Sequence, residues 1–171
     1  IRHIISLSNE LDKNNLSKGV KIFIMKALPL TVVVTQYNYS LEDLNSSSET
    51  YGSNVGPEYF SNHVTLHYFG YFTWGTCTSR FGQLNTIYEN LKSQGYDVKL
   101  IGVANSSQSS SYGNWTSNNN SPVCVDNSLN NAWSNWGASQ RDLFILDCSF
   151  FENGFSILLN TKESEFTLFS S

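Results

Sequence analysis

The period of the hydrophobic pattern changes several times along the chain, and each change predicts an element. The block from His63 to Phe72 is dense in aromatic and β-branched residues and predicts a buried strand. Farther on, Phe81, Leu84, Ile87, Tyr88 and Leu91 recur at the spacing of one helical face. Gly95 stands where a left-handed C-cap closes such a helix. Between strand and helix lies the turn Thr73-Trp74-Gly75-Thr76-Cys77. Val98 to Ala104 predicts a second strand, and the intervening helix makes the pair a parallel, right-handed βαβ unit.

The flanks follow from the same reading. Residues 20–25 and 30–37 are β-branched runs separated by Pro29, which a central ladder does not accommodate. A short helix fits around Ser8 to Leu11, and the polar segment 45–58 predicts a loop or linker. We expect a boundary near residue 56, between a β-rich extension over 1–55 and a domain over 56–171. Residues 105–121 are almost wholly Ser, Asn, Gly, Gln and Thr and predict a loop. Pro122 to Val125 and Leu143 to Leu146 predict strands, and Asn130 to Trp136 a short helix or turn. Asn153-Gly154 is a hairpin signal, with Phe155 to Leu159 as the return strand. Strand–helix–strand followed by paired strands is the plan of the thioredoxin fold, so the expected class is α/β with a mixed sheet and flanking helices.

Composition narrows the function classes. Charged residues make up 14% of the chain against roughly 25% in an average domain, and the net charge is −4 without a basic run. Nucleic acid is therefore an unsuitable partner. No apolar run approaches the roughly 20 residues of a membrane span. A surface of hydroxyl and amide side chains suits a secreted, glycosylated protein. Sequons stand at Asn15, Asn38, Asn45, Asn105, Asn114 and Asn119, although so Asn-, Ser- and Thr-rich a chain produces several by chance. The chain opens on Ile1-Arg2, so we expect a processed or truncated start, and the lack of a leader pattern carries no information.

Cys77, Cys124 and Cys148 are the cysteines, an odd number at spacings that fit no zinc site; we expect no metal and no cofactor. Cys124 and Cys148 lie on or beside strands expected to be neighbours, which permits a disulfide. Cys77 stands where a strand feeds a helix, where unpaired amides stabilise a thiolate; the plainer reading is an inert, half-buried thiol. His63 and His67 share a strand face but lie about 13 Å apart at 3.3 Å per residue, too far to chelate one metal. Asp142 and Asp147 bracket a strand and suit turn capping. Trp115, Trp133 and Trp136 suit a core, or a surface that stacks sugar or peptide.

From Val64 to about Leu159 the chain resembles the N-terminal, thioredoxin-like domain of the selenoprotein P family. The likeness is carried by Val64-Thr65 through Trp74-x-x-Cys77, by Leu84 through Gly95-Tyr96, and by Ile101-x-Val103-x-Asn105 followed by Pro122-Val123. A last block runs from Trp133 through Asp142 to Asp147. The resemblance implies an extracellular redox pair, selenocysteine or cysteine followed three residues later by cysteine. Cys77 then takes the resolving position, and Trp74 occupies that of the nucleophile, which leaves the dithiol cycle incomplete. In an alternative register Cys77 is the first cysteine and Arg80 replaces the second. Trp74 would be a selenocysteine position if its codon is a UGA read as tryptophan. The thioredoxin-like order further implies a cis peptide before Pro122, beside the Cys77 turn.

These readings lead to the expectation of a secreted, glycosylated module with a degenerate redox motif that serves binding or extracellular assembly. The alternative is an extracellular thiol- or selenol-type oxidoreductase using Cys77. A protein or glycan ligand is expected in the first case. The strands in 20–37 have only Lys21 and Lys26 as charges; they must fold onto their own domain or pair with another copy, building homo-oligomers or filaments.

Overall fold

The computed structural model describes residues 20–24, 37–146 and 157–161. Their strands are β1 (Val20–Ile24), β2 (Leu41–Glu42), β3 (Asn54–Val55), β4 (Val64–Gly70), β5 (Val98–Ala104), β6 (Val123–Val125), β7 (Leu143–Leu146) and β8 (Ile157–Thr161). The main helix, α1, spans Gly75–Ser93. One-turn helices occupy Gly113–Thr116 and Ala132–Asn135.

A four-stranded sheet in the order β6-β5-β4-β7 forms the centre. β4 and β5 are parallel, as a connection through α1 requires; β6 is parallel to β5, and β7 is antiparallel to β4. Every residue of β4 is buried because both sheet faces are covered. Val64, Leu66 and Tyr68 point to one face and pack with Phe81, Leu84, Ile87 and Leu91 of α1. Phe69 points to the other and packs with Tyr37, Tyr39, Trp136 and Phe144. The period-two alternation of the strand thus feeds two cores. Gly95, just beyond α1, has φ +82°, the left-handed closure its position predicts.

Residues 37–55, read from the sequence as the end of an extension, contribute Tyr37, Tyr39, Leu41 and Val55 to the second core. They also close the outer edge of β6. The fully buried Asp43 carboxylate accepts the Val123 amide at 3.0 Å, and the Leu44 amide donates to the Val123 carbonyl at 2.8 Å. The remaining bonds to the Asp43 carboxylate come from the Asn45 amide and the Thr50 hydroxyl, so the buried charge is well satisfied.

The loop 105–121 is more than a polar connection. Trp115 is fully buried, stacked on Phe81 with centroids 4.7 Å apart and planes 24° apart. It lies so near the sheet that a Cβ on Gly70 or Gly102 would stand 2.8 Å from a ring atom of Trp115 or Phe81, respectively. Those glycines are where the ring approaches the backbone. Trp136 is buried in the second core and Trp133 packs at its margin, so the tryptophans expected to be core or stacking surface divide, and Trp115 and Trp136 are core.

Several expectations are corrected. The Ser121–Pro122 peptide is trans. The Pro122 carbonyl instead accepts from the Gly102 amide and starts the β6 ladder, and the ring lines a depression with Tyr88, Lys92 and Lys99, by the last turn of α1. Pro122 therefore lies away from Cys77, because β6 is a parallel outer strand. The strand that returns antiparallel to β4 is β7, preceded by Arg141 and Asp142.

Cys124 is a buried free thiol that donates to the Leu41 carbonyl at 3.7 Å, so it forms no bridge to Cys148. The reason is topological. β6 and β7 are opposite edges of the sheet, three strand spacings or about 14 Å apart, beyond the roughly 7 Å a disulfide spans. β8 pairs antiparallel with β1 of the same chain, Ile22 opposite Leu159. The 153–154 turn, Cys148, Asp147, the residue 8–11 helix, and the run 30–36 lie outside the described residues.

Candidate binding site at the Trp74 turn

β4 ends at Gly70, and the chain turns through 71–74 into α1. Trp74 is the N-cap, in extended geometry, and its carbonyl accepts the Cys77 and Thr78 amides at 2.9 and 3.0 Å. Cys77 therefore sits in the first helical turn and not in the turn before it. Phe72 is driven into the core, and its carbonyl is held by Asn114 Nδ2 at 2.9 Å. Gln108 Oε1 accepts both the Thr73 amide and its hydroxyl at 3.1 Å. The polar loop thus anchors the turn.

Trp74 and Cys77 have opposite environments. Cys77 is fully buried among Phe72, Phe81 and Trp115, and Tyr68 Oη donates to its carbonyl at 3.4 Å. Trp74 is 50% exposed. Its ring stacks on Tyr71 at 5.5 Å and 28°, and Tyr71 meets Trp133 at 5.4 Å. From Gly75 onward, along the first turns of α1, a hollow is lined by Gly75, Thr76, Ser79, Arg80, Gln83 and Arg141. Arg80 donates to Gln83 at 3.4 Å, and no acidic residue stands in the first turn of α1. Burial pushes the Tyr68 hydroxyl far up, with Cys77 adding to the shift and the nearby Arg80 and Arg141 guanidiniums opposing it. A thiol packed in this way is screened from a disulfide substrate; an exposed, backed aromatic ring is suited to holding a ligand.

The other candidates have structural roles. His67 is fully buried, its Nδ1 bonded to Tyr39 Oη at 2.6 Å and its Nε2 to Thr65 Oγ1 at 2.8 Å. Desolvation lowers its pKa to about 3, so the ring is neutral. His63 pairs with Asp97 at the surface. Asp142 accepts the Ser139 amide at 2.7 Å, the capping role its position suggested. Among the described residues no group of three His, Cys, Asp or Glu side chains could hold a metal ion.

Two sequon asparagines are structural. Asn45 is fully buried and its Nδ2 donates to the Asn119 and Ser121 carbonyls, while Asn119 Nδ2 donates to the Trp115 carbonyl. A glycan on either would replace those bonds, so both are removed from the glycosylation candidates. Asn38, Asn105 and Asn114 lie at or near the surface, and Asn15 is outside the described residues.

Tyr71, Gln108 and Arg141 were not singled out by the sequence. Tyr71 reads as the end of a strand and Gln108 as one amide in a polar loop. Arg141 reaches the turn only because β7 returns beside β4, with a left-handed φ of +68° that no residue type signals there.

No family model matches the chain, and no curated protein does. Solved structures do. A putative thiol:disulfide interchange protein DsbE from Chlorobium tepidum has a TM-score of 0.56 at 15% identity, covering 72% of this chain and 80% of that one. The chain has a thioredoxin-like fold. A secreted Mycobacterium tuberculosis disulfide oxidoreductase homologous to E. coli DsbE gives 0.54 at 10% identity, over 78% of this chain and 91% of that one. BsSco, a member of the Sco family of cytochrome c oxidase assembly proteins, gives 0.51 at 14% identity over 72% and 81%. Identities this low carry the architecture and no activity. Within the thioredoxin-like architecture, Trp74 caps α1 at the surface and Cys77 lies buried in the first helical turn.

Proposed function

We propose that this chain is a secreted thioredoxin-like module that binds a ligand at the Trp74 turn and does not turn over disulfides. The observation that carries this reading is the inversion at the turn: the exposed residue is Trp74, which has no redox chemistry, and the only sulfur is buried. The Trp74-x-x-Cys77 spacing supports descent from a selenoprotein P-like redox pair that has lost its nucleophile. Secretion is supported by the uncharged polar surface and by sequons at Asn38 and Asn105, which are the expected glycan sites; the Asn114 amide is engaged with the Phe72 carbonyl. No helix among the described residues is long and apolar enough to cross a membrane. The β1–β8 ribbon is the element through which copies of the chain would pair if residues 20–37 serve assembly.

The test is an insulin-reduction assay against a Cys77→Ser control. The wild-type protein should match the control. Trp74→Cys restores an exposed thiol at the helix N-cap, three residues before Cys77, and should raise activity above both. Wild-type turnover well above the control would replace this reading with the oxidoreductase one, in which Cys77 emerges to act.

A further inference from the structure

We infer that the hollow between the 47–50 loop and the last turn of α1 binds a small aromatic carboxylate, one ring in size, with the Lys99 ammonium as its anchor. This hollow lies at the opposite end of α1 from the Trp74 turn, and the inference does not rest on the function proposed above.

The hollow has the size and the walls for one ring. Its volume is about 160 Å³, close to the roughly 150 Å³ that admits a benzene. Phe60, Tyr88 and Pro122, all buried, give it apolar walls. The loop that forms its rim is held from below. Asn45 Nδ2 donates to the Asn119 and Ser121 carbonyls, both at 2.9 Å. The Ser48 amide donates to the Asn45 carbonyl at 2.9 Å, and the Thr50 hydroxyl to Asp43 at 2.8 Å. A ligand therefore meets a formed cleft and has no loop to order.

Charge decides what the ring must carry. The Lys92 and Lys99 ammoniums converge on one carboxylate: Glu49 Oε1 is 3.1 Å from Lys92 Nζ, and its Oε2 is 4.0 Å from Lys99 Nζ. The two lysines are not equally satisfied. Lys92 donates a hydrogen bond to Glu49. At 4.0 Å Lys99 makes none, and its other neighbour is the Phe60 ring, 5.8 Å from Nζ to centroid. The Lys99 side chain is only 23% exposed, so three N–H donors stand at the hollow, largely screened from water and without a hydrogen-bond acceptor among the described residues. A carboxylate on a bound ring supplies that acceptor with a charge-assisted bond, about twice as strong as a neutral one. Glu49 is 74% exposed, so its contact with the lysines is a surface pair that yields at small cost when a ligand enters. Glu89, a further carboxylate of α1, is engaged by the Asn120 amide at 3.0 Å. An uncharged ring would leave Lys99 unsatisfied, and a carboxylate without a ring would leave the apolar walls unfilled.

The test is titration of the full chain with benzoate and with 4-hydroxybenzoate, followed by calorimetry and by amide NMR shifts. Benzamide has the shape without the charge, acetate has the charge without the ring, and inorganic phosphate is a bare anion. At least one aromatic carboxylate should bind saturably, about tenfold or more tighter than these three, and shift the amides of Lys99 and of residues 47–50. Lys99→Gln should weaken it about tenfold, the worth of one hydrogen bond to a charged group. Glu49→Gln should tighten it, because a like charge has left the rim. Thermal melting checks that each variant is folded, and Glu49, on an exposed loop, gives a variant that leaves the core intact. The inference is overturned if neither aromatic carboxylate binds, if benzamide or phosphate binds as tightly, or if Lys99→Gln binds as well as wild type. It is equally overturned if Glu49→Gln weakens binding, which would make Glu49 the anchor and the occupant a cation. The outcome of the insulin assay bears on the Trp74 turn alone and leaves this inference to its own titration.

Discussion

His67 is a titratable ring kept neutral inside a box of aromatic side chains, with Tyr39, Trp136 and Thr65 around it. The folded state resists its proton down to about pH 3, whereas the unfolded chain takes one near the ordinary value of 6.5. Below pH 6.5 the unfolded state therefore binds more protons, and stability falls as pH falls until the folded pKa is reached. At about 1.4 kcal/mol per unit, this one ring withdraws about 5 kcal/mol between those limits. Urea denaturation at pH 7.5, 5.5 and 4.5 should show that slope in the wild type. His67→Gln should be less stable at pH 7.5 and should lose less on acidification, so that the two curves converge; parallel curves would show that His67 titrates normally. Gly102 makes a second residue-scale case. Its missing Cβ leaves room for Phe81 and Trp115 at 2.8 and 3.0 Å, so Gly102→Ala should cost about 1–3 kcal/mol in the same measurement.

Among the elements, α1 and the polar loop 105–121 behave in opposite ways toward sequence reading. The apolar stripe from Phe81 to Leu91 and the left-handed Gly95 were legible because packing and backbone chemistry agree there. β4 and β5 were legible for the same reason. The loop was not, because its composition resembles a linker while a single ring decides its structure. Trp115 docks between Phe81, Phe72 and Tyr68, and the Asn and Ser side chains around it then become turn formers and anchors. Trp115→Ala should cost about 3–5 kcal/mol and release the segment, seen as new protease cleavage between 105 and 121 before global unfolding. Cleavage confined to other segments would show the loop is held by its hydrogen bonds instead. The misplacement of Pro122 has a related cause. Strand order is a long-range property, and a three-residue strand can join either side of a sheet without any local mark.

For the whole molecule, the informative comparison is between truncations. Removing residues 1–36 keeps Tyr37 and Tyr39 but takes away β1, the ladder partner of β8. Removing 1–40 also takes both tyrosines from the second core, and His67 loses its 2.6 Å partner. The first product should fold cooperatively; the second should be weaker by at least about 3 kcal/mol, the lower end for deleting one large core side chain. Equal stability of the two would place 37–40 outside the core. Light scattering of the first product bears on assembly: oligomers that survive loss of 1–36 do not depend on β1. The other sheet margin has a different consequence. A sheet lengthens like a polymer, each added strand needing a free amide and a free carbonyl at the growing end. On β6 the Val123 amide is spent on the Asp43 carboxylate, a side chain that accepts this amide beside its bonds from Asn45 and Thr50 and offers no ladder in return. That side chain is a chain terminator written into the fold, and it lets a protein with so few repelling charges be concentrated without its central sheet growing into its neighbours.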